Sequence, residues 1–489
     1  MSTNPLTVVV AGAGLTGLVA SHQLRRSLGP GARIVVVDPD DRVGGKLRTV
    51  DTQEGPIEVG AEAYLGFRKD ATDFFESLGL GDELVTPSGL PSTIFAAGEV
   101  RSMPRTTVMG VPASSEGLQG LLSDDTCARI DAEGDPEQTA PLHWVHGDDV
   151  NLGQLVESRL GREVVDHLVS PLLGGVYSCL ADDLGLRATV PQLAETLDAM
   201  TAVGEPVSLT AAAQRVLDQR AAANEARLAS GAVSAPVFRT FRNGYRRLYD
   251  TLVEQAAPEL ELGVGVEKIT DATDVTGSDD APGTGVKDVT LSDGRVLRAD
   301  AVVLAAPAPV TGALLADVCP DASEIIGGVD LASSAVVAMR FDTEEGLPEY
   351  SGILVAADAG LDAKAFTFSS RKWPHLGERG GAVVRGSFGR FGDESLVKLS
   401  DDELTAAALA DLKALTGFDA EPAEVVVQRW WGGIPRYGVG HGDLMRFAEA
   451  ALDEVPRIAA AGAWHRGPGI PACLSDAKAA AAKVVADLA

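Results

Sequence analysis

The chain has 489 residues, too many for one simple core, so two or three domains are expected. Its 45% hydrophobic and 23% charged residues are those of a folded soluble protein, and a formal net charge of −29 argues against nucleic acid or an anionic membrane surface as partner. Cys127, Cys179, Cys319 and Cys473 are scattered without C-x-x-C or metal-ligand spacing, which fits a reduced cytoplasm and makes each a small core residue.

The first element is "VVVAGAGLTGLVASHQL", starting at Val8. Val8 to Ala11 reads as a buried parallel strand, and helical spacing begins at Leu15 and Thr16. Between them Gly12, Gly14 and Gly17 occupy the three positions of G-x-G-x-x-G. Such a turn lets backbone approach a pyrophosphate, while the helix start offers it unpaired N–H groups and a positive dipole end. A second apolar run, "RIVVVD", ends at Asp38, twenty-one residues past Gly17, where a Rossmann unit places the acid that holds a ribose. A 2'-phosphate would be repelled there. The uncharged stretch from Leu6 to Ala20 falls short of the roughly 20 residues that span a bilayer, and it has no basic flank, so neither a transmembrane segment nor a signal peptide is expected.

Farther along, Gly147 to Ser178 has helical spacing that continues through an Ala-rich tract to about Ser230. Strands return from "GVEKIT" to "ADAVVLAAPAP", interrupted by the polar hairpin excursion "TDVTGSDDAPGTG". Between Ala335 and Trp431, "SAVVAMRF", "GAVVRGSF" and "AEVVVQRWW" suggest an antiparallel sheet. A last buried strand ends near Ala461, and after a glycine-rich turn an Ala-rich helix starts near Pro471. The fold class expected is α/β, a Rossmann-type domain with a mixed-sheet domain and a helical insertion.

"DPDDRVGGKLRT" resembles the R-x-G-G segment that follows the ribose-binding acid in one group of flavoproteins, which points to FAD as cofactor. More broadly, "GAGLTGL", "RVGGKLRT", "EVGAEAY", "SPLLGGVYS", "LGLRATVPQL", "FRTFRNGYRRL", "ADAVVLAAPAP", "GSFGRFGD", "WWGGIPRYGVGH" and "GPGIPACL" occur in order from Val8 to Ala482. In that order they resemble the protoporphyrinogen/coproporphyrinogen oxidase family within the amine-oxidase-like flavoproteins, and most resemble its soluble actinobacterial branch. The resemblance implies a discontinuous FAD-binding domain (residues 1–65, 237–310 and 445–489), a substrate-binding domain (66–95 and 311–444) and a largely helical insertion (96–236).

It also implies the site residues. Gly12, Gly14, Leu15, Thr16, Gly17, Asp38, Arg42, Gly44, Gly45 and Lys46 match the FAD-binding segment, Val266 the strand beside the adenine, and Trp464, Gly469 and Ile470 the C-terminal flavin contacts. Gly175 and Tyr177 match the stretch along the macrocycle, and Arg68 and Lys69 the basic residues near the substrate propionates. A solvated surface pair is the plain alternative for Arg68 and Lys69. Tyr437 and His441 lie in the "YGVGH" motif, where His441 reads better as a structural histidine than as a base. Departures from the family pattern are Ser178-Cys179 where Ala-Gly is usual, Pro468 for valine, Arg436 for glutamine and Asp38 for glutamate.

The implied reaction is the six-electron oxidation of coproporphyrinogen III in haem biosynthesis, in three two-electron rounds. Flavin N5 takes the hydride and molecular oxygen reoxidises the flavin to give hydrogen peroxide; no catalytic side chain is assigned. Partners implied are the porphyrinogen, oxygen and a transient handover to a downstream haem-pathway enzyme. Protoporphyrinogen IX oxidation, another amine-oxidase-like oxidase and a catalytically silent FAD-binding scaffold stand as alternatives.

Overall fold

The computed structural model describes residues 5–231, 236–272 and 285–489. Most of the polar excursion 273–285 lies outside the described residues. The chain folds into two compact units, one of Met1–Val85, Val237–Asp330 and Asp443–Ala489, the other of Thr86–Pro236 and Leu331–Gly442.

The first unit is organised by a five-stranded parallel sheet. Strand β1 (Thr7–Ala11) lies between β2 (Arg33–Asp38) and the strand Ala301–Leu304, with Glu259–Leu262 and Ile458–Ala460 at the edges. Val8, Val9 and Val10 are fully buried because both faces of this sheet are covered, which is why the run reads as continuously apolar. Helix α1 (Leu15–Leu28) and the C-terminal helix Ile470–Leu488 share one core on one face, through Leu18, Leu24, Leu474, Ala477 and Val484. On the other face pack the three-stranded antiparallel sheet of Val266–Asp271, Lys287–Leu291 and Val296–Ala299 and the helices after Ala308.

The "FRNGY" motif has a structural use in this unit. Gly244 turns with φ +78, and a Cβ there would lie 2.4 Å from Glu58 Oε1. The close approach lets Tyr245 N–H donate to Glu58 Oε1 at 2.7 Å, which also accepts the Thr49 hydroxyl at 2.6 Å. The start of helix Arg246–Ala256 is thereby tied to the hairpin Thr49–Glu58.

The second unit contains a seven-stranded sheet in the order Glu424–Pro435, Leu331–Phe341, Ala382–Phe388, Ala365–Phe368, Gly352–Val355, Ser92–Ala96, Glu99–Ser102. The three runs expected to form an antiparallel sheet are three neighbouring strands here. Helices from Leu152 to Ala229 belong to this unit and bury their own core of Leu, Val and Ala residues. One winding of that stretch, Val165–Val169, is a π-turn just before the helix Ser170–Tyr177. Among the described residues no helix is long and apolar enough to cross a membrane.

Candidate functional site

The three glycines after β1 do different work. Gly12 turns the chain at φ +116, and a Cβ on it would lie 2.5 Å from the Ala305 carbonyl oxygen. A Cβ on Gly17 would stand 1.8 Å from the Gly12 carbonyl oxygen. Both glycines are consumed by packing strand, turn and helix together. Gly14 has φ −73, and a Cβ there would touch only Gly45 Cα, at 3.8 Å. Its bare position is the one that packing leaves over for a ligand.

The R-x-G-G loop lies against it. Gly44 N–H donates to Ala13 O at 2.9 Å, and the Arg42 guanidinium donates to Gly45 O at 2.8 Å and Val43 O at 3.3 Å. Arg42 thus holds the loop's own shape. The surface of Lys46 is open, and desolvation holds its ammonium below the usual lysine range.

Asp38 ends β2, its Oδ2 accepting Ala13 N–H at 2.6 Å and its Oδ1 accepting Asp40 N–H at 2.9 Å. Burial raises its carboxyl above the ordinary value, against those two hydrogen bonds. Each oxygen keeps a further lone pair that a ribose hydroxyl can use. Val264 N–H donates to the Asp38 carbonyl at 3.1 Å, which brings Val266, at the start of the next strand, beside the acid.

The C-terminal helix starts at Ile470 after Gly469, and neither it nor α1 has a side-chain cap. Two packed helices therefore begin with N–H groups available to an anion. Leu15, Thr16 and Ile470 are buried. Trp464 is buried too, and its indole N–H donates to Ala306 O at 3.1 Å, which locks the loop before the helix. The same loop is held by a cluster that sequence spacing does not announce. Buried Asp476 accepts Gly462 N–H at 2.8 Å and meets His465 Nδ1 at 2.6 Å, while His465 Nε2 lies 3.0 Å from Glu449.

The substrate residues fall in two places. Arg68 caps the start of helix Lys69–Ser77 in the first unit and donates to Asp70 at 3.0 and 2.8 Å, and Lys69 pairs with Asp73. The structure therefore gives both cations acidic partners at the surface. Gly175 and Tyr177 lie in the second unit. Gly175 is exposed, its nearest neighbour for a Cβ being Leu354 at 3.9 Å. Tyr177 is buried, its ring 5.4 Å from that of Tyr437, which in turn lies 4.3 Å from His441. Burial pushes the Tyr177 phenol up to about 12, so it packs and does not act as a base. Three motifs distant in sequence converge here, since Gly185 N–H donates to Tyr437 O at 2.8 Å and Asp149 accepts both Arg187 N–H and Gly440 N–H.

A glycine cradle, a ribose-ready carboxylate, a neighbouring lysine and two uncapped helix starts suit a dinucleotide with a diphosphate, and FAD is the cofactor. The family model of flavin-containing amine oxidoreductases matches residues 15–485. The chain is 37% identical over 482 residues to the coproporphyrinogen III oxidase of Mycobacterium leprae, and 30% identical over 491 residues to that of Bacillus subtilis, with 98% of each chain covered in both cases. Among solved structures, a protein of Exiguobacterium sp. 255-15, provisionally described as a protoporphyrinogen oxidase, superposes with a TM-score of 0.82 at 28% identity over the full length of both chains. Cyclohexylamine oxidase from Brevibacterium oxydans shares the fold, with a TM-score of 0.67 at 17% identity and 99% of each chain covered. By these matches the chain belongs to the family of flavin-containing amine oxidoreductases.

Proposed function

We propose that this protein is an FAD-dependent oxidase that converts coproporphyrinogen III to coproporphyrin III in haem biosynthesis, in the cytoplasm. The observation that carries this reading is the end-to-end match, at 37% identity, to a coproporphyrinogen III oxidase. Loss of six hydrogens in three two-electron rounds consumes three molecules of oxygen and yields three of hydrogen peroxide. Bound FAD supplies the two-electron acceptor that no side chain here provides.

The remaining work belongs to the chain. Gly14, with the first N–H groups of α1, receives the diphosphate, Lys46 adds charge, and Asp38 holds the ribose. Gly175 admits a flat ring to the backbone, with Tyr177 packed beneath it against Tyr437. Arg68 and Lys69 reach substrate propionates only by giving up Asp70 and Asp73, so their contribution is small. The pyrrole N–H protons leave to water, and no base is assigned. The product is then handed to a downstream enzyme of the pathway.

An aerobic assay of porphyrin fluorescence with coproporphyrinogen III and protoporphyrinogen IX side by side tests this. Faster turnover of the four-propionate substrate is expected. Equal or greater turnover of protoporphyrinogen IX would move the assignment to that substrate, and no fluorescence from either would overturn it.

A further inference from the structure

Among the described residues, the second unit buries one lysine without a carboxylate partner. Lys364 is 4% exposed, and its Nζ donates to a single side chain, the Ser178 hydroxyl, at 2.7 Å. Its backbone is fixed on both sides, with its N–H given to Ser387 O at 2.8 Å and its carbonyl accepting Val355 N–H at 2.9 Å. The side chain therefore has one direction in which to point. Ser178 ends the helix Ser170–Tyr177 in the left-handed conformation at φ 52, one residue after Tyr177 and three after Gly175. Lys364 thus reaches the C-terminal, negative end of the short helix on which the proposed substrate segment lies. Phe391 N–H donates to the Ser178 carbonyl at 2.7 Å and closes the turn from the other side.

A buried ammonium with no counter-ion is costly, and a helix end with one hydroxyl does not balance it. An anion brought to the exposed Gly175–Val176 face would. We propose that Lys364 is a positioning residue that holds the end of this helix through Ser178 and takes up a proton when a carboxylate-bearing porphyrin ring settles on the helix. The proposal rests on the porphyrin reading above and adds to it where the ring's charge is sensed.

The surroundings agree. Burial brings Lys364 down to about 7, helped by the nearby Arg390 cation and opposed by the Cys179 thiol. That thiol is itself pushed up to about 12 by burial. Arg436 and Asp183 act on Cys179, Asp362 is the acid nearest along the chain, two residues before Lys364, and Asp411 accepts Ala363 N–H at 2.7 Å. Lys364 therefore loses its charge far more readily than an ordinary lysine, and an arriving anion has a proton to draw in.

The test titrates the FAD-loaded protein with coproporphyrin III, read by Soret absorbance and by calorimetry in two buffers of different ionisation heat. Proton uptake approaching one per ring is expected just above neutrality and none at about pH 5.5, where Lys364 is already charged. Lys364→Met should bind the ring at least tenfold more weakly above neutrality, with an affinity that no longer varies with pH. Lys364→Arg should restore affinity without restoring proton uptake. Binding by the wild type with no proton uptake, or a Lys364→Met variant with wild-type affinity and pH dependence, overturns the proposal even while coproporphyrinogen oxidation stands. Should Lys364→Met not fold, the two-buffer measurement on the wild type decides alone. Failure of the wild type both to bind the ring and to oxidise the porphyrinogen would take the substrate reading and this proposal down together.

Discussion

Replacing Gly14 and Gly17 separately by alanine should split cofactor binding from folding. At Gly17 the new methyl would stand 1.8 Å from the Gly12 carbonyl oxygen and 3.3 Å from Val10 Cγ1. Backbone must shift to make room, since the clashing atom is main-chain. Alanine recovers roughly 1 kcal/mol of helix propensity, whereas forcing such an overlap costs roughly 1–3 kcal/mol or more. The FAD-free Gly17→Ala protein should therefore melt below the wild type. At Gly14 the backbone is at φ −73 and the nearest atom is 3.8 Å away, so Gly14→Ala should leave the melting of the FAD-free protein nearly unchanged. Its methyl fills the position that packing left bare, and a tenfold loss of FAD affinity, about 1.4 kcal/mol, is the least expected. Thermal melting of stripped protein and FAD titration by fluorescence quenching provide the two readouts. Wild-type FAD affinity in Gly14→Ala, or wild-type melting in Gly17→Ala, would refute the division of labour among the three glycines.

Asp38→Ala should weaken FAD binding through lost charge-assisted ribose contacts, each worth about 1.5–3 kcal/mol; full occupancy after dialysis would deny the acid that role. Because burial holds the Cys473 thiol up at about 11, no thiolate is at hand to bond the cofactor, and acid precipitation should release all FAD to the supernatant, with yellow pellets counting against it. Although burial opposes it, hydrogen bonds from Arg187, Trp144 and Gly147 hold Asp198 down to about 2, so its stabilisation of about 2 kcal/mol is complete above roughly pH 4 and disappears as pH falls toward 2. Asp198→Asn should lower the melting temperature at neutral pH and make no difference near pH 2, and an equal loss at both would show that charge is not involved. Arg68→Glu with Lys69→Glu should raise KM for coproporphyrinogen III by a few-fold at most, since both cations already have acidic partners; a large rise confined to that substrate would restore them as the main propionate contacts.

The dinucleotide half of the molecule was readable because its signals are local. Glycine spacing, a strand and an acid at the next strand's end are set by a few dozen adjacent residues, and Gly12, Gly14, Gly17 and Asp38 fall together as that spacing requires. The acidic partner of Lys69 was also visible, four residues on in "RKDATD", where helical geometry pairs the two, and Asp70 stands beside Arg68 at the helix start. Lys364 was not. In "DAKAF" it looks like any surface lysine, and only two strands and a helix end from elsewhere in the chain decide that it is buried. The Glu449–His465–Asp476 cluster was equally silent, because its members join a helix, a loop and another helix with no fixed offset.

The sheet that builds the cradle joins β1 to Ile458–Ala460, which lies far along the chain, and the helix lying along α1 is made after both. A ribosome adding roughly 5–20 residues per second needs roughly 20–90 s to travel from one to the other. Throughout that interval Val8–Val10 have been synthesised while the strand at the sheet's far edge and the helix that shares α1's core do not yet exist. Cofactor capture therefore waits for that strand and helix. A nascent chain stalled before Ile458 should carry no yellow colour however much FAD surrounds it, and must keep its first strand from pairing with a neighbour's while it waits.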